Sequence, residues 1–326
     1  MKKNTNKIYI IKNLFLRNKI EYRLGYNKIS QFNKNLTLNE SVVSDHAEIM
    51  LNTPYGVIAA WNISNPEHHH YFGSFESASF AKTHMFLDKS FIKDKIEDQL
   101  NYIANKIMSG EIVIFMIIEG YHSFYERLIN KFENNNFTDY ALVYQDIPDP
   151  DNNSAIIINR QKFSILDGTG VYIDNYYESN DREGGRERKM RIPYAFLETP
   201  DRKILVVGAV HIPGSNRRQP LDGLSKLNNI IQNALDMVSN NNFGGLVFMG
   251  DFNSIPSLVG SNVQNVNILV TEYPTHINPG RETSFYDMTI VKGLNSSKLL
   301  PIEYTSSYTQ ALVESINRSR YHYLKK

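Results

Sequence analysis

The sequence predicts an α/β protein in which sheets of short strands are covered on their outer faces by helices. Three observations predict it: six short runs rich in Val and Ile, two amphipathic segments of helical period, and polar residues closing the runs. The runs are 56–63 (GVIAAWNI), 111–119 (EIVIFMIIE), 140–145 (YALVYQ), 155–159 (AIIIN), 203–211 (KILVVGAVH) and 245–252 (GLVFMGDF), bounded by Gly, Pro, Asn or Asp. In 91–108, Ile92, Ile96, Leu100, Ile103 and Ile107 recur at steps of three and four, one stripe of a helix with Ser90 as its N-cap. In 221–238, Leu224, Leu227, Ile231, Leu235 and Val238 repeat the pattern, with Pro220 near the start. No internal repeat and no Pro/Ser-rich linker divides the chain, so one domain is expected over 41–326 behind an N-terminal extension, 1–40.

Composition narrows the chemistry. Lys plus Arg is 35 and Asp plus Glu is 34 in 326 residues, a net charge of +1, so no global basic field draws in nucleic acid. A local basic groove remains open. There are no cysteines, which excludes disulfides, thiolate metal sites and a Cys nucleophile. No apolar run approaches the roughly 18 residues that span a bilayer. The first residues, MKKNTNKIYIIKNLFLRNK, start basic, but Lys12, Asn13, Arg17 and Asn18 break the apolar stretch, so no cleaved signal peptide is expected. A cytoplasmic monomer, or a protein exported without a cleaved signal as a bacterial effector would be, fits these features. The most charged stretch, 178–191 (ESNDREGGRERKMR), reads as a solvated loop, with an arm contacting an anionic substrate as the sharper alternative.

The polar run-ends form a set. Asn62 closes AAWNI, Glu119 closes FMIIEG, His211 closes VVGAVHIPG, Asp251 and Asn253 close FMGDFN, and Asp287 heads the apolar run in TSFYDMTIV. In a strand, residues i and i+2 share a face, so Asp251 and Asn253 are expected to point at one spot. Singly each has an ordinary explanation as a turn residue, an exposed acid or a hydrogen-bonded His. Together they suggest a polar site along one edge of the sheets, and hard oxygen donors of this kind suit Mg²⁺ or Mn²⁺.

The order WNI, IIEG, VVGAVHIPG, LVFMGDFNSIP, PTHINPGRETSFYDMTIV resembles the endonuclease/exonuclease/phosphatase superfamily, the deoxyribonuclease I-like proteins, over about residues 41 to 305. GDFN followed by Ser, Ile and Pro is the most specific part. The resemblance implies a four-layered α/β sandwich, two mixed sheets packed face to face with helices outside. It also implies a Mg²⁺-dependent phosphoesterase acting on a phosphate-ester substrate, nucleic acid or a phospholipid head group. One departure stands out. The family closes near its C-terminus with Ser-Asp-His, and after Asp287 this chain offers only YTSSYTQALVE at 304–314; SDH stands instead at 44–46, in VVSDHAEIML. The family's last strand lies beside the strand carrying the first Asn, and the turn NTPYG could join the two as a hairpin. A circular permutation is therefore expected, against the alternative of a chance tripeptide in a degenerate site.

The resemblance further implies that Glu119 is the principal metal ligand, with Asn62 and Asp45 near the ion. Asp251 would orient or deprotonate the attacking water, and Asn253 would hold that water or a phosphoryl oxygen. His46, oriented by Asp287, and His211 would flank the phosphate. Arg217, Arg218 and His276 are candidate substrate contacts. The EHHHYFG stretch at 67–73 is read as a loop rather than a metal site, because three consecutive His cannot face one ion on a regular element. The plain GDFNSIP signature favours phosphodiester cleavage in nucleic acid. A lipid phosphatase or phospholipase, and a catalytically decayed binding protein, are the rival functions.

Overall fold

A computed structural model describes residues 7–11, 46, 48–63, 89–147, 153–178, 186–212, 219–238, 240–271, 286–294 and 297–300. The chain enters the first sheet with β1 (Lys7–Ile11), β2 (Ile49–Thr53) and β3 (Gly56–Asn62). Helix α1 (Lys89–Met108) leads to β4 (Ile112–Gly120), and α2 (His122–Asn134) leads to β5 (Tyr140–Tyr144) and β6 (Asn153–Asn159). The second sheet holds β7 (Ser164–Ile165), β8 (Gly170–Glu178), β9 (Arg186–Glu198) and β10 (Ile204–His211). After α3 (Gln219–Met237) come β11 (Phe243–Asp251), α4 (Pro256–Asn262), β12 (Asn267–Leu269) and β13 (Asp287–Lys292); β14 (Lys298–Leu299) returns to the first sheet. The strand orders are β1-β5-β6-β4-β3-β2-β14 and β12-β13-β11-β10-β9-β7, with β8 also on β9.

Each sheet has one parallel pair near its centre, β3 with β4 and β10 with β11, and each pair is bridged by a helix. That connection is what parallel neighbours require, and it explains why both predicted helices fall where they do. Side-chain alternation then builds three apolar layers. Ile58, Ala60, Ile114 and Met116 of the first sheet meet Val207, Ala209, Val247 and Met249 of the second. On the far side of the first sheet, Ala59, Trp61, Phe115 and Ile117 pack under Leu100, Ile103 and Ile107 of α1 and Phe124, Leu128 and Phe132 of α2. On the far side of the second, Val206, Leu246, Phe248 and Ile290 pack under Leu224, Leu227 and Ile231 of α3. Helix, sheet, sheet, helix: this is the four-layered α/β sandwich that the family resemblance implied.

The expected hairpin is present. β2 pairs antiparallel with β3, from Ile49↔Ala60 to Thr53↔Gly56. The Thr53 hydroxyl closes the turn, donating to the Gly56 carbonyl at 2.7 Å and accepting from the Tyr55 amide at 3.2 Å. Two expectations need correction, and one helix was unforeseen. α1 begins at Lys89, so Ser90 lies inside its first turn rather than capping it. Helix α2 was not foreseen; its N-cap, Tyr121, makes no side-chain capping bond, so the usual start signal is missing although Phe124, Leu128 and Phe132 form a stripe. The charged 178–191 stretch is strand at both described ends: β8 and β9 form a ribbon paired from Gly170↔Tyr194 to Glu178↔Arg186. Among the described residues no helix is long and apolar enough to cross a membrane.

Candidate active site

Register alone assembles half of the site. His211 lies opposite Asp251 across the parallel β10–β11 ladder, and Asp251 opposite Asp287 across the antiparallel β11–β13 ladder. Residues abreast in neighbouring strands share a face. Val207 and Ala209, Val247 and Met249, and Val291 precede or follow them on the inter-sheet face, so these three polar groups look towards the first sheet at its edge. From that sheet Asn62 follows Ile58 and Ala60 on the same inner face.

Glu119 arrives by a different route. Ile117 packs outward under the helices and Ile118 inward, so strict alternation would aim Glu119 outward. Instead the β4–β6 ladder is irregular between Ile117 and Gly120, and Glu119 has φ +56, in the left-handed region. A non-glycine residue held there costs roughly 1–3 kcal/mol and persists only where its surroundings enforce it. Next to it, fully buried Tyr125 packs on Gly120, its hydroxyl donating to the Asn153 carbonyl at 2.7 Å. Turned inward, the Glu119 carboxylate lies 3.2 Å from Nε2 of His211.

Asp251 is the hub, 2% exposed. Its Oδ1 accepts the Asn253 amide at 2.8 Å, and its Oδ2 accepts from Nδ2 of Asn253 and from Nδ2 of Asn62, both at 3.1 Å. Asn253, with φ +44, has left the strand, so it reaches Asp251 through an Asx-type turn and not by sharing a strand face. Its Nδ2 also donates to the Ile212 carbonyl at 2.9 Å, tying the ends of β10 and β11 together. His46, 6% exposed, places Nδ1 2.9 Å from Oδ2 of Asp287, across 241 residues of sequence. An ionised carboxylate only accepts, so Nδ1 carries the proton. That leaves Nε2 facing Oδ2 of Asp251 at 3.8 Å and the Asn62 amide at 3.5 Å.

The electrostatics follow from this crowding. Burial by itself would lower the His211 pKa, but the hydrogen bond and charge of Glu119, with the charge of Asp251, outweigh burial and the opposing His46 and hold it above the ordinary imidazole value. Burial raises Asp251, with Asp287 and Glu119 adding to the rise against the two imidazoles. The stability His211 gains from its partners is complete below the unfolded value of 6.5 and is lost as pH climbs through the raised folded value. Metal-free protein should therefore melt at a higher temperature near pH 6 than near pH 9, and His211→Gln should shrink that difference. Equal pH dependence in wild type and variant, by calorimetry, would contradict it.

Glu119, His211 and Asp251 each offer a ligand atom, all within 4.8 Å of one another, with the Asn62 amide beside them. Two carboxylates and an amide oxygen suit a hard divalent cation. Asp45, Arg217, Arg218, His276 and the 67–73 stretch lie outside the described residues. Arg191 was passed over within the charged stretch. The β9–β10 ladder ends at Gly208↔Tyr194, and three steps further along each strand stand His211 and Arg191. Arg191 shares the inward parity of Ala195 and Leu197, and its Nε donates to Oε1 of Gln145 at 2.8 Å, on the connection after β5. The alternation in RIPYAFLE, read as a strand, would have exposed it.

No protein-family model matches the sequence, and no curated protein does. Solved structures do match. ANGEL2, a 2',3'-cyclic phosphatase, superposes with a TM-score of 0.51 at 12% identity, over 83% of this chain and 91% of that one. The same protein in complex with adenosine-2',3'-vanadate gives 0.51 at 13%, over 82% and 91%. The chain has the deoxyribonuclease I-like fold. A humanized D. rerio TDP2 matches with a TM-score of 0.47 at 10% identity, over 78% and 86%. The polar cluster sits where strand ends of both sheets open on one edge.

Proposed function

We propose that the protein is a divalent-metal-dependent phosphoesterase that cleaves phosphodiester bonds, with nucleic acid as the substrate class. The observation that carries this is the convergence of six polar side chains from both sheets: Glu119 on His211 at 3.2 Å, His46 on Asp287 at 2.9 Å and Asn62 on Asp251 at 3.1 Å. A phosphodiester resists attack because its oxygens repel nucleophiles and its alkoxide leaves poorly. Glu119, Asn62 and Asp45 would hold the ion, with His211 and Asp251 within reach. Bound there, a Mg²⁺ or Mn²⁺ ion would neutralise phosphoryl charge and polarise a water. Asp251, fixed by Asn253 and Asn62, would orient an attacking water and accept its proton. His211, kept protonated by Glu119, and Arg191, aimed by Gln145, offer positive charge to the phosphoryl oxygens. His46, its tautomer set by Asp287, presents Nε2 for proton transfer.

The same reading includes a circular permutation, with the Ser-Asp-His segment carried to the front of the chain. The 2.9 Å contact of His46 with Asp287 and the β2–β3 hairpin that delivers it support this. A decayed binding protein has less support, since the predicted catalytic groups among the described residues are brought together. ANGEL2 is a cyclic phosphatase crystallised with a nucleoside vanadate, which makes nucleotide phosphodiesters the first substrates to try.

The test is a panel of single-stranded DNA, duplex DNA, RNA, nucleoside cyclic phosphates and phospholipids with Mg²⁺ or Mn²⁺. Turnover of a nucleic-acid substrate that EDTA abolishes, and that Glu119→Gln lowers at least about a hundredfold, supports the proposal. Cleavage confined to phospholipids would overturn the substrate class. Absence of turnover on every phosphoester would favour a binding protein.

A further inference from the structure

Behind His46, on the helix-covered face of the first sheet, lies a second set of buried polar contacts that touches no substrate space. In β2, Ile49 and Leu51 face the inter-sheet core and Met50 faces the helices. Continued backwards, that alternation would put Glu48 and His46 together on the helix side. Glu48 is there: it is 3% exposed, accepts from the Tyr102 hydroxyl of α1 at 2.8 Å and pairs with Lys106 at 3.6 Å. The His46 ring is not; it enters the inter-sheet cleft against Asp287. What lies on the helix side at residue 46 is the contact of its backbone carbonyl, which accepts from Nε1 of Trp61 at 2.9 Å. Trp61 packs on the helix-covered face, next to Asn62 on the cleft face, and its indole meets the Tyr102 ring edge-on at 5.1 Å.

We propose that Trp61, Tyr102 and Glu48 form a clamp that turns the His46 ring into the cleft by holding its carbonyl outward. They are positioning residues: none meets substrate, and each acts through His46. The buried indole N–H has a backbone acceptor only if residue 46 keeps this orientation, and an unpaired N–H there is unfavourable. Tyr102 braces the indole from one side and, through its hydroxyl, fixes Glu48 two residues beyond His46. Lys106 supplies the charge that lets a carboxylate stay buried at that point. The orientation of a catalytic imidazole is thereby set from the opposite face of the sheet, by Trp61 of β3, by Glu48 and by Tyr102 of α1. This rests on His46 acting in the proposed reaction, so the experiment reads both orientation and turnover.

Trp61→Phe, Glu48→Gln and Tyr102→Phe are made in the full chain, the last being the mildest because it removes one hydroxyl. In metal-free wild type, the His46 Nδ1 proton bound to Asp287 should give a low-field NMR resonance, assigned by its absence in Asp287→Ala. In the clamp variants that resonance should broaden or vanish while circular dichroism stays native. Turnover should drop by about ten- to a hundredfold with KM and metal dependence unchanged, as misplacement of one catalytic group predicts. A wild type without the resonance, or variants that keep both resonance and turnover, would overturn the clamp. A resonance that responds in a protein with no phosphoesterase activity would uphold the clamp and remove the proposed reaction instead.

Discussion

Asp251→Asn should lower turnover by roughly a thousandfold or more while leaving the melting temperature of the metal-free protein within a few degrees of wild type. The rate loss follows from chemistry: an amide cannot accept the proton of an attacking water, nor offset the charge of a cation. The stability follows from burial. At 2% exposure Asp251 shares a cluster with Asp287 and Glu119, and burial together with those two acids already pushes its pKa up. The folded protein therefore sacrifices stability to keep this carboxylate ionised, and Asn removes that cost at equal size. The hydrogen bonds adapt. Oδ1 of the new residue still accepts the Asn253 amide, Asn62 can turn its amide over to meet the new NH₂, and Nδ2 of Asn253, which loses Oδ2 as an acceptor, keeps the Ile212 carbonyl. Paired measurements of kcat/KM and metal-free melting decide the matter. Retention of a tenth of the activity would refute the catalytic role, and a collapse in melting temperature would refute the account of burial.

Gly120→Ala should cost the protein a large share of its stability through crowding alone. Gly120 carries no positive φ, so the demand for glycine is one of space: a methyl group would overlap the Tyr125 hydroxyl and press on the ring carbons behind it. Tyr125 cannot withdraw. It is fully buried, its hydroxyl donates to Asn153, and its ring packs against Tyr144 at 4.8 Å and Phe124 at 6.1 Å. Overpacking of this kind costs about 1–3 kcal/mol, and a rigid aromatic partner places it at the upper end. The same overlap should loosen the turn that aims Glu119, so Mg²⁺ should protect the variant against heat less than it protects wild type. Adding Tyr125→Phe should restore part of the stability, because the worst overlap is with the hydroxyl. Urea unfolding of both variants, with and without Mg²⁺, tests this; unchanged stability in Gly120→Ala would show that β4 and α2 yield more easily than their packing suggests.

Where the sequence spoke clearly, the physical signal was local. Strands announced themselves by short Val/Ile runs, and Asn62, His211, Asp251 and Asp287 by standing at the ends of such runs. His46 was legible only because SDH stood out of its usual place beside a hairpin turn. The unread features depend on tertiary context. Glu119 points inward because its backbone takes a positive φ where the β4–β6 ladder breaks, and nothing in FMIIEG encodes that. Arg191 takes the inward parity of β9 because that strand continues past its last ladder pair with β10, whereas its charged neighbours suggested a loop. Asn253 meets Asp251 through a turn, a geometry that the i, i+2 rule for strands mimics without describing. Helix α2 lacked a cap, so its aromatic stripe went unnoticed amid Asn, Glu and Lys.

The strand Lys7–Ile11 runs antiparallel along β5, pairing from Lys7↔Tyr144 to Ile11↔Tyr140 at the margin of the first sheet. Without it, β5 would show solvent a row of open amides and carbonyls, a ready docking rail for a second copy of the chain. A sheet whose chemistry lies at the strand tips thereby ends on a strand of only five residues, opened by a lysine, and a short edge of this kind offers little template for fibrous self-association.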